Sequence, residues 1–294
     1  MSNAQRVFIP HVQVRSKALC LYDLLADPPQ YQRHSLSHPT YSGTMTDHAR
    51  SRILRTVDVF LQKSPQRKVF NPVIGQRVNF RLSFITLTIS SSVCIGAADG
   101  HRALKVFLQH FRRPAAKKAI SEQLRSYVWK AELQHRGQLH YHITANSWLH
   151  WAEIQRVWNG IQFSRGWLTD FQQRHGHTNP NSTDVHSVYK VRDIQAYLGK
   201  YLSKTGKKDV SEYGFGVPVY VPSIGGKVWD CSNDLKVKRF SDELSSETEA
   251  NILDAVAQGK AFLRRLDRCT MVNTDIPSLL LSNQSHQSYL SWKV

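Results

Sequence analysis

Hydrophobic spacing is sharpest in the middle of the chain. Residues 78–89 alternate β-branched and aromatic side chains with polar ones, which predicts one long buried strand. Leu104, Phe107, Leu108 and Phe111 then fall at helical spacing, with Lys105, Arg112 and Arg113 off that face. Two strand-like runs follow, residues 127–134 and 138–144, and His135-Arg136-Gly137 between them reads as a hairpin turn. Trp151, Ile154, Trp158 and Ile161 mark a second amphipathic helix. A polar loop over residues 174–184 leads to a strand at 185–191, and Asp193 is placed to cap a short helix running through Lys204. The order strand, helix, hairpin, helix, strand, helix predicts an α+β fold, an antiparallel sheet with flanking helices.

The ends are less regular. Residues 1–70 form a basic N-terminal extension in which Ile53, Val57 and Phe60 mark a helix over residues 48–61. The central domain spans residues 71–210. Residues 211–294 form a C-terminal extension with a strand-like Lys227-Val228-Trp229 and a long helix from Ser246. Ser246 and Glu249 have capping-box spacing, and Lys260, Arg264, Arg265 and Arg268 gather at that helix's far end.

Charge narrows the function. The 294 residues include 39 Lys and Arg against 22 Asp and Glu, a formal net charge of +17. Such a balance points to a polyanion, nucleic acid or an anionic membrane surface. No basic amphipathic helix or lipidation signal argues for a membrane, and no run approaches the ~18 apolar residues of a membrane helix. The first residues lack the apolar core of a secretory signal. Cys20, Cys94, Cys231 and Cys269 are scattered, which fits a reduced, cytoplasmic protein without a disulfide framework.

The chemistry concentrates at Gln138-Leu139-His140-Tyr141-His142-Ile143. On a strand, His140 and His142 share one face while Leu139, Tyr141 and Ile143 share the other. A hairpin centred on Arg136 sets Glu132 directly across from His140, on the same face. Two imidazoles and a carboxylate with open positions suit Mg2+ or Mn2+ that also holds a substrate phosphate, and Zn2+ is compatible with the same donors. Downstream, Tyr197-Leu198-Gly199-Lys200-Tyr201-Leu202-Ser203-Lys204 is Y-x-x-K written twice. On a helix Tyr197 and Tyr201 lie one turn apart, with Lys200 and Lys204 near the same face. A phenolate can attack a phosphodiester; the free phenol, with a pKa of about 10, needs a nearby ammonium and a metal-held phosphate to do so. Core packing is the competing reading of two tyrosines at this spacing.

Together these motifs resemble the HUH endonuclease superfamily (His, hydrophobic, His), in its branch of rolling-circle replication initiators with paired tyrosines from small single-stranded DNA phages and plasmids. Phe84-Ile85-Thr86-Leu87-Thr88 is similar to the first motif, Glu132 with His140-Tyr141-His142 to the second, and residues 197–204 to the third. The resemblance covers roughly residues 75–205. It implies an RRM-like or palm-like sheet and a metal held by Glu132, His140 and His142. It implies nicking and joining of single-stranded or hairpin origin DNA through a 5′-phosphotyrosine on Tyr197 or Tyr201, with a free 3′-hydroxyl to prime a polymerase. No phosphate-binding G-x-x-x-x-G-K-[ST] loop is present, so unwinding falls to a host helicase.

Lys200 and Lys204 are candidates for phosphate contact or phenolate stabilisation, or for a solvated helix face. Residues 102–130 carry eight Lys and Arg and one Glu, and Arg125 and Lys130 within them are read as DNA-facing. Trp129, Trp148, Trp151 and Trp158 offer base-stacking surfaces, although their spacing matches buried faces. His150, His175, His177 and His186 are further possible ligands; His175-Gly176-His177 repeats the spacing without apolar backing. The competing functional readings are a transposase of the same superfamily and a DNA-binding protein that kept the fold and lost the chemistry.

Overall fold

The computed structural model describes residues 8–25, 45–92, 95–114, 120–134, 137–188, Leu198 and 224–293. In chain order its elements are β1 (Phe8–Arg15), β2 (Ala18–Leu25), α1 (Asp47–Gln62), β3 (Arg67–Asn71), β4 (Gln76–Phe80), β5 (Ser83–Thr88), α2 (Ala97–Arg112), β6 (Tyr127–Leu133) and β7 (Leu139–Ala145). They continue with α3 (Trp151–Ser164), α4 (Thr169–His175), β8 (Thr183–Ser187), β9 (Trp229–Cys231), β10 (Ser241–Glu243), α5 (Ser246–Ala257), β11 (Phe262–Leu266), β12 (Cys269–Asn273) and α6 (Asn283–Lys293). The fold is α+β, with every strand pairing antiparallel.

Two compact units form. The larger takes the described residues of 45–60 and 64–236. Its sheet has the order β8-β5-β7-β6-β9. One face of that sheet is apolar, because Ile85, Leu87, Trp129, Ala131, Tyr141 and Ile143 alternate inward along three neighbouring strands. Those residues pack on Ala103, Leu104, Phe107 and Phe111 of α2 and on Ile154, Trp158 and Ile161 of α3. Two polar anchors set the height of α3: Trp158 Nε1 donates to Thr88 O (2.8 Å), and Gln162 Oε1 accepts from Ser90 N (2.7 Å). With helices on one face, the other face is left for the histidines.

The single strand expected over residues 78–89 is two. β4 ends at Phe80 and pairs with β3 in a hairpin of its own, and β5 starts at Ser83 in the main sheet. The break falls at Arg81, whose side chain turns away to donate to Ser64 O (2.9 Å). The α1 helix matches its spacing, with Ile53, Val57 and Phe60 fully buried.

The smaller unit takes the described residues of 8–25, 61–63 and 237–293, with strand order β10-β1-β2-β12-β11. Val12, Val14, Leu19 and Val272 from its sheet meet Ile252 and Ala255 of α5 and Tyr289 of α6. The long helix expected from Ser246 stops at Ala257. Gly259 follows at φ +68°, and the amides of Lys260 and Ala261 both fold back onto Ala255 O, which caps the carbonyl end. Arg264 and Arg265 are therefore on strand β11, and Arg268 lies in the turn to β12.

Candidate active site

The hairpin of β6 and β7 creates the site. Gln134 N donates to Gln138 O (2.9 Å) and Gly137, at φ +78°, closes onto Gln134 O (2.8 Å). The register that follows sets Glu132 opposite His140 and Lys130 opposite His142. β5 on the other side of β7 sets Thr88 opposite His140 and Thr86 opposite His142. Residues directly across a ladder share a face. Two polar rows therefore cross the open face, Thr88-His140-Glu132 and Asp184-Thr86-His142-Lys130-Trp229.

Each histidine is held from behind. Thr88 Oγ1 lies 3.1 Å from His140 Nδ1, and Thr86 Oγ1 lies 3.3 Å from His142 Nδ1. The Gln134 side-chain amide reaches the same His140 atom at 3.0 Å. With its proton on Nδ1, an imidazole donates to its threonine and turns the Nε2 lone pair outward, the arrangement in which a neighbouring group orients a ligand. The two rings sit 4.6 Å apart, and Phe84 stacks on His142 at 5.5 Å. Thr86 and Thr88 belong to the first motif, whose sequence reading assigned it only a role in shaping the sheet. Their alternation, in step with the histidines, is the signal that carries the positioning role.

Glu132 is the charged centre. Its Oε2 lies 3.4 Å from His142 Nε2, and its Oε1 takes the Lys130 ammonium at 2.5 Å. Burial pushes this carboxyl up, but the hydrogen bond with His142 and the charge of Lys130 outweigh it and bring the pKa down to about 2. Burial, reinforced by His142, lowers His140 to about 4. At neutral pH the face thus offers an anionic oxygen pair and a neutral imidazole.

These donors fit a divalent ion by chemistry, and no metal is needed to assemble the pair. The 3.4 Å between His142 Nε2 and Glu132 Oε2 is near the roughly 3 Å that separates neighbouring ligands in an octahedron with ~2.1 Å bonds. Among the described residues no three His, Cys, Asp or Glu side chains already converge as a finished cage. Closing it would require His140 Nε2 to turn toward Glu132.

The remaining candidates are placed as follows. The Lys130 side chain is 5% exposed and serves Glu132, so it is the carboxylate's partner and not a surface contact. Arg125 is exposed just before β6, where its charge falls on Glu122 and away from the two histidines' rows. His186 is at the β8 edge of the site face, 5.1 Å from Phe84. His150 is buried before α3, and His175 and His177 flank the positive-φ Gly176 after α4, both exposed. Trp129 and Trp158 are core, Trp148 is half-buried and Trp151 is 60% exposed. Tyr197, Lys200, Tyr201 and Lys204 lie outside the described residues; Leu198 among them is helical and fully buried.

Residues 82–206 match the family model for the replication-associated protein ORF2. The matched stretch is under half of the chain. It begins beside β5, contains both polar rows as far as Asp184, and ends just past Lys204. The replication-associated match supports a Rep-like protein acting in DNA replication, and with it an interaction with DNA. No curated protein and no solved structure matches the chain. No helix among the described residues is long and apolar enough to cross a membrane.

Proposed function

We propose that the chain is a rolling-circle replication initiator, a metal-dependent endonuclease that nicks and joins single-stranded DNA through a tyrosine. The observation that carries this reading is the register setting Glu132 opposite His140, with both Nδ1 atoms tied to threonines, inside the replication-associated stretch.

His140, His142 and Glu132 would hold Mg2+ or Mn2+, which supplies the charge that polarises the scissile phosphate. Thr86 and Thr88 keep the two imidazoles aimed, and Lys130 holds Glu132 anionic and in place. The phenol oxygen of Tyr197 or Tyr201 attacks phosphorus in line. The P–O3′ bond breaks, the phenolic proton leaves to water, and the departing 3′ oxygen takes up a proton. The product is a 5′-phosphotyrosine and a free 3′-hydroxyl that a DNA polymerase can extend behind a host helicase. Attack by a 3′-hydroxyl on the phosphotyrosine reverses the step and joins strands. Lys200 and Lys204 are assigned to phenolate and phosphate stabilisation.

The test is a cleavage reaction on single-stranded DNA of the protein's own replicon, with Mn2+ or with EDTA, resolved on a denaturing gel. A Mn2+-dependent covalent adduct that survives Tyr197→Phe and Tyr201→Phe singly and disappears in the double variant is the expected result. Loss with one single variant reduces the mechanism to one nucleophile. Tight binding without any adduct leaves a DNA-binding protein of the same fold.

A further inference from the structure

The smaller unit carries a cavity of about 680 Å3 far in sequence from the histidines. Lys17, Lys260, Phe262, Asn273, Asp275 and Ile276 line it. Its composition is unusual for a surface hollow: two ammonium groups at the rim, an aromatic wall, and amide and carboxylate groups at the side. The Phe262 ring is 69% exposed, so packing within the unit does not account for its position. Phe262 opens β11, a strand with every side chain exposed and only β12 beside it. Along β11, Phe262 and Arg264 are two residues apart and share a face, while Arg265 is on the opposite one.

We propose that this cavity and the Phe262 face of β11 form a second binding site, for a segment of single-stranded DNA. A base enters the cavity and stacks on Phe262. Asn273 and Asp275 meet its hydrogen-bonding edge, and Lys17, Lys260 and Arg264 take the phosphates on either side. Cations tracking a backbone beside an exposed ring are the recurring solution for single strands. The face fits this partner better than a second protein copy, because its apolar ring is flanked by cations that two copies would bring together. The site is independent of the nicking chemistry, and its binding needs no metal.

The test measures anisotropy of fluorescein-labelled dT20 with the full chain in EDTA, over a range of salt. Phe262→Ala is expected to weaken binding roughly 5- to 150-fold, the value of one base on an aromatic ring, and Phe262→Trp to restore it. Lys260→Ala with Arg264→Ala is expected to lower the slope of log affinity against log salt by about 1.4, at about 0.7 per phosphate contact on a single strand. Arg265→Ala, one residue along on the other face, leaves the slope unchanged. Equal effects of Arg264→Ala and Arg265→Ala would reduce the site to unspecific charge and overturn the proposal. So would unaltered binding by Phe262→Ala, or a change in oligomeric state alone by sedimentation, which would make the face a contact between copies. Because Phe262 and Arg264 are exposed, matched thermal melts confirm that the variants fold. Absence of a covalent adduct in the nicking reaction leaves all of these outcomes readable.

Discussion

Replacing Lys130 by Met tests how the charged centre is held together. The Lys130 ammonium is 5% exposed and lies 2.5 Å from Glu132 Oε1. Methionine keeps the length and apolar stem and removes the charge. Breaking a buried ion pair costs ~3–5 kcal/mol because the remaining charge is stranded. Glu132 keeps 32% of its side chain exposed, so water recovers part of that, and the expected loss is about 2 kcal/mol. In a unit of this size that is a fall of roughly 4–8 °C in the midpoint of its unfolding transition. The assay is calorimetry in EDTA at pH 7, comparing wild type, Lys130→Met, Glu132→Gln and the double variant. The double variant should be less destabilised than the two single losses added together, since neither then strands a charge. A Mn2+ titration should raise the midpoint of Lys130→Met, because a cation binding only the folded state stabilises it by mass action. A midpoint within about 1 °C of wild type for Lys130→Met, with additive behaviour in the double variant, would refute the pairing.

Three further outcomes follow from the geometry. Thr88→Val should leave the fold intact and weaken Mn2+ binding about 10- to 100-fold by calorimetric titration, since it removes the hydroxyl 3.1 Å from His140 Nδ1. Gly100→Ala should destabilise by about 1–3 kcal/mol in urea despite alanine's better helix propensity, because the new Cβ would sit 2.5 Å from Leu139 Cδ1 and 2.7 Å from the Tyr141 hydroxyl oxygen. Glu122 is pushed up by burial and pulled further down by Arg67 and the Trp148 amide, so its pKa lies below the ordinary range. Its contribution is present above the unfolded carboxyl pKa and lost as pH falls through the lower folded value. Both side chains of the pair are 38% exposed, so Glu122→Gln should cost about 1 kcal/mol at pH 7 and almost nothing at the acid end, measured by urea midpoints.

The active face was legible in the sequence because its information is local. Alternation fixed which side of β7 the histidines share, and one short turn fixed what lies across from them. The same parity applies to Lys130, two residues before Glu132 on one strand; judged by charge alone, it passed for a surface residue. The two ends were less legible because their partners are remote. β1 pairs with β10, whose residues lie more than 200 positions later, and β2 with β12, so no window of sequence contains either ladder. The helix misjudged beyond Ala257 was extended by the basic residues that follow. Gly259 at positive φ ended it, and a glycine two residues past a helical run is the sign that outweighs charge placement.

β7 is flanked on both sides, by β5 and by β6, along its whole length. Its amides are therefore among the last in the larger unit to exchange with deuterated water, and His140 and His142 open only when that unit unfolds as a whole. Any adjustment that cleavage needs must then come from imidazole rotation and from the incoming strand, while the backbone beneath them stays still. Exchange protection along residues 139–145 becomes a direct gauge of how fixed the chemistry's platform is, before any substrate is known.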